Sequence, residues 1–180
     1  MKTEIDQEWE LIERSKKDPE NFKHLYEKYF KTILKFIHKR IDSVDDAADV
    51  TSNTFVKAFE NIGKYKHQGF SFSSWLHRIA INEINQFYRS TSKQRLVCID
   101  DVNYNYMAAE TGKDLEELKA NLKLAMEHLT TDELELLELR FFEERPFSEV
   151  AQILNITENN AKTKKSRLID KMRVIFNKIN

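Results

Sequence analysis

The 180-residue sequence contains few of the residues that build turns, disulfides or phosphate-binding loops: three Gly, two Pro and one Cys, Cys98. Three glycines are too few for a turn-rich all-β chain, and a single cysteine excludes an intrachain disulfide and a multi-cysteine metal site. No stretch approaches the roughly 20 apolar residues of a membrane span or the apolar core of a signal peptide. We therefore expect a helical protein of the cytoplasm that is not inserted in a membrane.

The sequence also lacks the short motifs of the common enzyme classes. It has no glycine-rich nucleotide loop, no H-E-x-x-H zinc motif and no G-x-S-x-G nucleophile turn. Its five His are scattered, and no two are four residues apart. Asp45, Asp46 and Asp49 share one turn, but the helix dipole stabilises carboxylates at a helix start, so we interpret them as solvated. We expect no catalytic residues, no cofactor and no metal site.

What the chain does contain is apolar residues at helical spacing. One stripe follows the Asp18–Pro19 start signal and runs to Ile41, and a second follows Ser43 and ends at Gly63. A third helix, capped by Ser71 or Ser73, would pack on the same core. These helices form the first of two predicted domains, residues 1–92.

A change in composition separates this domain from the next. Residues 96–118 hold six acidic side chains and one Lys, and no helical period is sustained before Leu115. Beyond them, Thr130 and Glu133 have the spacing of a capping box, and Asn155 separates a short helix from a final one. The sequence thus predicts an all-α chain of two small helical domains, 1–92 and 113–180, with an acidic linker at 93–112. The second domain ends in a helix-turn-helix.

The net charge is −1, so any attraction to nucleic acid must be local. Residues 63–95 carry six Lys and Arg against Glu83 alone, interleaved with aromatic residues. Cations follow a phosphate backbone while aromatic faces stack on bases that have left a duplex, so the mixture suits single-stranded or locally melted nucleic acid. The alternative is that Phe72, Trp75 and Phe87 face the core; for Trp75 and Phe87 their spacing favours that alternative.

The final helix carries a second basic cluster. If it is the recognition helix of a helix-turn-helix, its first turns reach base edges or phosphates, and Arg167 one turn later contacts phosphate. The alternative is a solvated C-terminal helix whose cations suit its dipole. The residues of this helix that can reach DNA in this way are Asn159, Asn160, Lys162, Thr163, Lys164 and Arg167.

These segments resemble a known family. FSSWLHRIAIN at 72–82 and DDAADVTSNTFVKAFENI at 45–62 resemble the promoter-melting domain of bacterial RNA polymerase sigma factors. Residues 130–168 resemble the C-terminal helix-turn-helix domain of the same family. With both in this order, the chain is similar to the compact sigma factors of the extracytoplasmic-function group.

The resemblance implies a transcription initiation factor that binds core RNA polymerase, recognises minus-ten and minus-thirty-five promoter elements and helps to melt promoter DNA. It implies minus-ten DNA contacts by Lys64, Tyr65, Lys66, Phe70, Phe72, Trp75, Arg78, Asn82 and Arg89. It implies polymerase contacts by Asp46, Asp49, Ser52 and Asn53. An anti-sigma factor is a common partner in this group, and the acidic linker would suit a positively charged polymerase channel.

The chain departs from the family at a few positions. Ser52 and Asn53 stand where Gln and Glu are usual, Asn155 where Gly is frequent, and Lys165 where an apolar residue is common. Two other functions fit the sequence without polymerase: a repressor that binds duplex operators as a dimer, and a helical adaptor that contacts only proteins. The repressor would not need residues 64–75.

Overall fold

The computed structural model describes residues 4–66, 71–91, 95 and 115–179, and every regular element within them is helical. Contacts divide the chain into two compact units, residues 1–96 (unit 1) and 97–180 (unit 2). The predicted all-α class is confirmed. The predicted linker at 93–112 lies outside the described residues except for Arg95.

In its described residues, unit 1 contains four helices: α1 (Glu4–Lys17), α2 (Phe22–His38), α3 (Val44–Asn61) and α4 (Phe72–Thr91). Short 3-10 turns at Pro19–Asn21 and Ile62–Lys64 precede α2 and follow α3. The Ser43 hydroxyl accepts the Asp46 N–H at 3.2 Å and caps α3. The Ser71 hydroxyl accepts the Ser74 N–H at 3.1 Å, so Ser71 rather than Ser73 caps α4.

The core of unit 1 lies where α3 packs between α2 and α4. Leu25, Ile33 and Ile37 of α2 face Ala58 of α3 and Leu76 of α4 in this core, and all five are fully buried. Two buried threonines on α3 need no partner helix, because their hydroxyls donate to carbonyls four residues earlier in α3.

Helix α1 packs on two other segments of unit 1. The Trp9 ring lies 6.4 Å from the Tyr65 ring, with the Lys16 Nζ 5.0 Å from the Trp9 ring centre. The Glu8 carboxylate accepts hydrogen bonds from Lys28 and from the Tyr29 hydroxyl. Burial, and to a smaller extent the hydrogen bond to Glu8, raises the pKa of the Tyr29 hydroxyl above its ordinary range. Helix α1 therefore packs on both α2 and the segment that leads out of α3.

Unit 2 contains α5 (Leu115–Met126), α6 (Thr131–Leu137), a π-helical turn (Glu138–Phe142), α7 (Phe147–Leu154) and α8 (Glu158–Ile179). The capping box at Thr130 and Glu133 forms as predicted. Lys171 of α8 also donates to the Glu133 carboxylate at 2.6 Å, which ties α6 to α8. Burial by itself would raise the pKa of the Glu133 carboxyl, but the contacts with Lys171 and Thr130 together lower it.

Two non-glycine residues with positive φ lie at the two ends of α7. Asn155 has φ 55° and ψ 45° and makes the turn into α8, as its side chain type permits. Glu144, with φ 53°, precedes α7. Val150, Ile153 and Leu168 are buried and pack α7 against α8.

Candidate nucleic-acid interfaces

A cavity of about 500 Å³ lies between the C-terminal end of α3 and the outer face of α4, and we call it the α3–α4 pocket. Four cations and one anion line it, so its net charge is positive although that of the chain is not. Trp75 and Ile79 supply apolar surface beside these charges. The lining residues are Lys57, Asn61, Lys64, Trp75, Arg78, Ile79, Asn82, Glu83, Gln86 and Arg89.

Five of the nine residues predicted to contact the minus-ten element line this pocket: Lys64, Trp75, Arg78, Asn82 and Arg89. The four on α4 are spaced by three, four and seven residues, which places them on one side of the helix. The spacing had favoured Trp75 as a core residue, but Trp75 is half-buried and lines the pocket. The pocket thus combines an aromatic ring with several cations.

Two predicted DNA contacts are packed inside unit 1 instead. Tyr65 is 4% exposed and Phe72 is 1% exposed, so neither ring is accessible to a base in this structure. Their centres lie 5.2 and 5.3 Å from that of Trp75. Burial, with the nearby Glu8 charge, raises the pKa of Tyr65 to about 12. We call Trp9, Tyr65 and Phe72 the aromatic support cluster, because Tyr65 and Phe72 pack against Trp75 and Trp9 packs against Tyr65.

The last two minus-ten candidates are placed differently. Lys66 is exposed just after the Ile62–Lys64 turn. Phe70 lies outside the described residues.

Five pocket residues were missed as site residues from the sequence: Lys57, Asn61, Ile79, Glu83 and Gln86. The Lys57 ammonium donates to Glu83 at 2.6 Å and to Gln86 at 3.2 Å, and Lys64 donates to Asn61 at 3.2 Å. Lys57 and Asn61 belong to α3, and only the packing of α3 on α4 brings them to this site. The single acid in a basic segment, Glu83, was the available signal.

The four predicted polymerase contacts lie on α3. Asp49, Ser52 and Asn53 are exposed, and Asp46 is half-buried. The Ser52 hydroxyl donates to the Ala48 carbonyl of its own helix. Two large apolar side chains continue this surface toward the end of α3, Val56 at 55% and Phe59 at 43% exposure. Phe59 has the spacing of the apolar stripe that follows Ser43, yet its side chain is not buried.

The helix-turn-helix presents the start of α8 to solvent. Asn159, Asn160, Lys162, Thr163 and Arg167 are all exposed. Ala161 and Leu168 are buried and define the opposite face, which fixes the register of the helix.

Lys164 and Lys165 are half-buried and lie against neighbouring elements. The Lys164 Nζ is 3.7 Å from the Asp132 carboxylate, and the Lys165 Nζ is 6.0 Å from the centre of the Phe141 ring. Lys165 therefore fills its usually apolar position by covering an aromatic ring. Lys164 is drawn toward α6 and is less available to DNA than the exposed residues of α8.

No helix in the described part of the chain is long and apolar enough to cross a membrane. Within the same residues, no group of three or more His, Cys, Asp or Glu side chains could hold a metal ion.

Two family models match the chain in order. Sigma-70 region 2 matches residues 25–94, and Sigma-70, region 4 matches residues 125–174. The first model contains the α3–α4 pocket and the second contains the helix-turn-helix.

The relatives include the ECF RNA polymerase sigma factor BldN of Streptomyces coelicolor, which is 28% identical. The match covers 89% of this chain and 62% of BldN, so this chain spans less than two thirds of the length of BldN. The RNA polymerase sigma factor YlaC of Bacillus subtilis is 26% identical, covering 84% of this chain and 91% of YlaC. The ECF RNA polymerase sigma factor SigM of the same organism is 24% identical, covering 86% of this chain and 94% of SigM.

Two solved structures share the fold. CnrH, in complex with the cytosolic domain of CnrY, matches with a TM-score of 0.58 and 17% identity over 94% of this chain and 97% of that one. RpoE of Bartonella quintana, in complex with the anti-sigma factor NepR, matches with a TM-score of 0.55 and 19% identity over 87% and 97%.

Proposed function

Because this chain belongs to the sigma-70 family of bacterial RNA polymerase sigma factors, within its extracytoplasmic-function group, we propose how its surfaces divide the work of promoter recognition. The chain is a promoter-recognising transcription initiation factor. It acts with core RNA polymerase in the bacterial cytoplasm and catalyses no reaction itself. Unit 1 captures the minus-ten element, unit 2 binds the minus-thirty-five element, and the linker at 93–112 joins them.

The observation that carries this proposal is the α3–α4 pocket. A base that leaves the duplex loses stacking worth a few kcal/mol, and stacking on one aromatic side chain offsets about 1 to 3 kcal/mol. Trp75 offers such a surface, held by the aromatic support cluster. Lys64, Arg78 and Arg89 attract the phosphates of the displaced strand.

Unit 2 supports the minus-thirty-five assignment. Asn160, Thr163 and Arg167 are three and four residues apart on the exposed side of α8, the spacing of a recognition helix that lies in a major groove. Asn160 can form two hydrogen bonds with adenine, and Lys162 and Arg167 supply phosphate contacts. The half-buried Lys164 contributes charge near the DNA rather than base contact.

The exposed surface of α3 binds core RNA polymerase in this proposal. Asp49 and Asn53 give it polar contacts, while Val56 and Phe59 give it apolar area that a partner would cover. The usual Gln and Glu are replaced by Ser52 and Asn53, so the apolar pair carries more of the affinity here. An anti-sigma factor is a second partner, by analogy with the complex of RpoE and NepR.

The test is a titration of the labelled full chain against core RNA polymerase without any sigma subunit, followed by fluorescence anisotropy. We expect saturable one-to-one binding, and selection of duplexes from a random library only when polymerase is present. Duplex binding by a dimer, with no polymerase binding at micromolar concentration, would instead establish the repressor. If the chain binds neither polymerase nor DNA, the sigma-factor and repressor functions are both wrong, and the helical adaptor is the function that is left.

A further inference from the structure

Glu83 is the one acid among the described residues that line the α3–α4 pocket. It is 7% exposed, and its carboxylate receives a hydrogen bond from the Lys57 ammonium at 2.6 Å. Gln86 accepts a second hydrogen bond from the same ammonium at 3.2 Å. One acid thus holds one particular cation of the pocket in place.

This pairing divides the pocket by charge. Lys57 and Glu83 together are neutral, whereas Lys64, Arg78 and Arg89 carry the net positive charge of the pocket. A lysine or arginine that neutralises a phosphate releases cations condensed on the strand, and a lysine whose charge is already balanced by a buried carboxylate releases few of them. The side of the pocket formed by the pair therefore favours an uncharged group.

We propose that Glu83 is a positioning residue that cancels the charge of Lys57, so that this side of the α3–α4 pocket accepts a base and not a phosphate. An ammonium has three N–H donors, and Glu83 and Gln86 take two. The third donor and the Gln86 amide N–H groups are then available to acceptors on the base edge. The inference rests on the proposed capture of a displaced strand by this pocket.

The proposal predicts an unusual result for Glu83→Gln. The amide keeps the size and one acceptor of the carboxylate but leaves the Lys57 charge uncancelled. Binding to any single strand should become tighter at low salt, and the slope of log K against log salt should steepen by about 0.7, the increment for one further phosphate contact. Between 50 and 200 mM salt this adds about a 2.5-fold loss of affinity. Discrimination between bases at the captured position should fall.

The experiment measures fluorescence anisotropy of the full chain with labelled 12-nucleotide oligo-dT strands that carry dA, dC, dG or dT at the centre. Salt is varied from 50 to 200 mM, and thermal unfolding is recorded for each variant. Lys64→Ala and Arg89→Ala are the matched controls, because each removes a cation outside the pair and should make the slope shallower by about 0.7. The double variant Lys57→Met with Glu83→Gln removes both charges and should keep the parental slope.

The outcomes separate the inference from the proposed function. The inference is supported if the slope of log K against log salt is steeper for Glu83→Gln than for the parent and shallower for both controls. Shallower controls with an unchanged slope for Glu83→Gln, even with a lower melting temperature, reduce Glu83 to a structural role and overturn it. Controls that bind exactly as the parent does would overturn the capture of single strands by this pocket, and the inference with it.

Discussion

The Glu133 carboxylate should stabilise unit 2 through two separable contacts. It accepts the Thr130 N–H at 2.8 Å within the capping box and the Lys171 ammonium at 2.6 Å between α6 and α8. The hydrogen bond is worth about 1 kcal/mol. The ion pair is partly exposed, at 29% and 36% of the two side chains, so about 0.5 kcal/mol is appropriate. Glu133→Ala should therefore cost about 1.5 kcal/mol and Glu133→Gln about 0.5 kcal/mol.

The pH dependence has a definite sign. The folded-state pKa of Glu133 is lowered from 4.5, so the folded protein binds this proton less well than the unfolded chain. The stabilisation is fully present above the unfolded pKa and is lost as the pH falls through the lowered folded pKa. The difference between the parent and Glu133→Gln should thus be constant near neutral pH, begin to shrink near the unfolded pKa of 4.5, and vanish only below the lowered folded-state pKa.

The chain supplies its own internal control for this measurement. Both tryptophans, Trp9 and Trp75, belong to unit 1, so tryptophan fluorescence reports unit 1 while circular dichroism reports the helices of both units. In urea unfolding, the Glu133 variants should shift the circular dichroism transition of unit 2 and leave the fluorescence transition in place. Equal losses for Glu133→Ala and Glu133→Gln would refute the reasoning, and so would a difference between the parent and Glu133→Gln that does not shrink as the pH is lowered below 4.5.

Three further predictions address the proposed interfaces. Lys162→Ala should weaken binding to all duplexes alike, whereas Asn160→Ala should lose about 1 to 3 kcal/mol of discrimination at one base pair; affinities for a panel of single-base promoter variants would tell them apart. Trp9→Ala should destabilise unit 1 by about 2 kcal/mol and weaken single-strand binding without altering its salt slope, because it removes one ring of the aromatic support cluster but no charge. Val56→Asp should change the free energy of unfolding by less than about 0.5 kcal/mol, yet it should reduce the affinity for core polymerase at least tenfold. Lys31→Asp, at an exposed position on α2, is the control. If Val56→Asp binds core polymerase as tightly as the parent does, α3 is not the polymerase contact.

Local signals in the sequence predicted the helices well. Ser43, Thr130 and Asn155 each act as the sequence indicates, because caps and left-handed turns depend on residues within a few positions. The π-helical turn at Glu138–Phe142 was not predicted, because the apolar spacing around Leu137 also fits a continuous α-helix.

The composition of the pocket was harder to predict. Helical spacing identifies the exposed side of α4, and so it places Arg78, Asn82 and Arg89 together. It does not tell which aromatic residues of a basic segment face inward, and Tyr65 and Phe72 proved to be buried. That distinction depends on α1 and α2 packing behind them, which is a contact between distant parts of the chain.

The scarcity of glycine has a thermal consequence in unit 2. The left-handed residues at both ends of α7 are Glu144 and Asn155, and a non-glycine residue in that conformation costs about 1 kcal/mol or more, Asn less than Glu. Exchanging Glu144 for Gly would remove the larger of these two costs, because glycine adopts the left-handed conformation freely. Unit 2 can therefore gain resistance to heat at a position that is none of the candidate DNA-binding residues of α8.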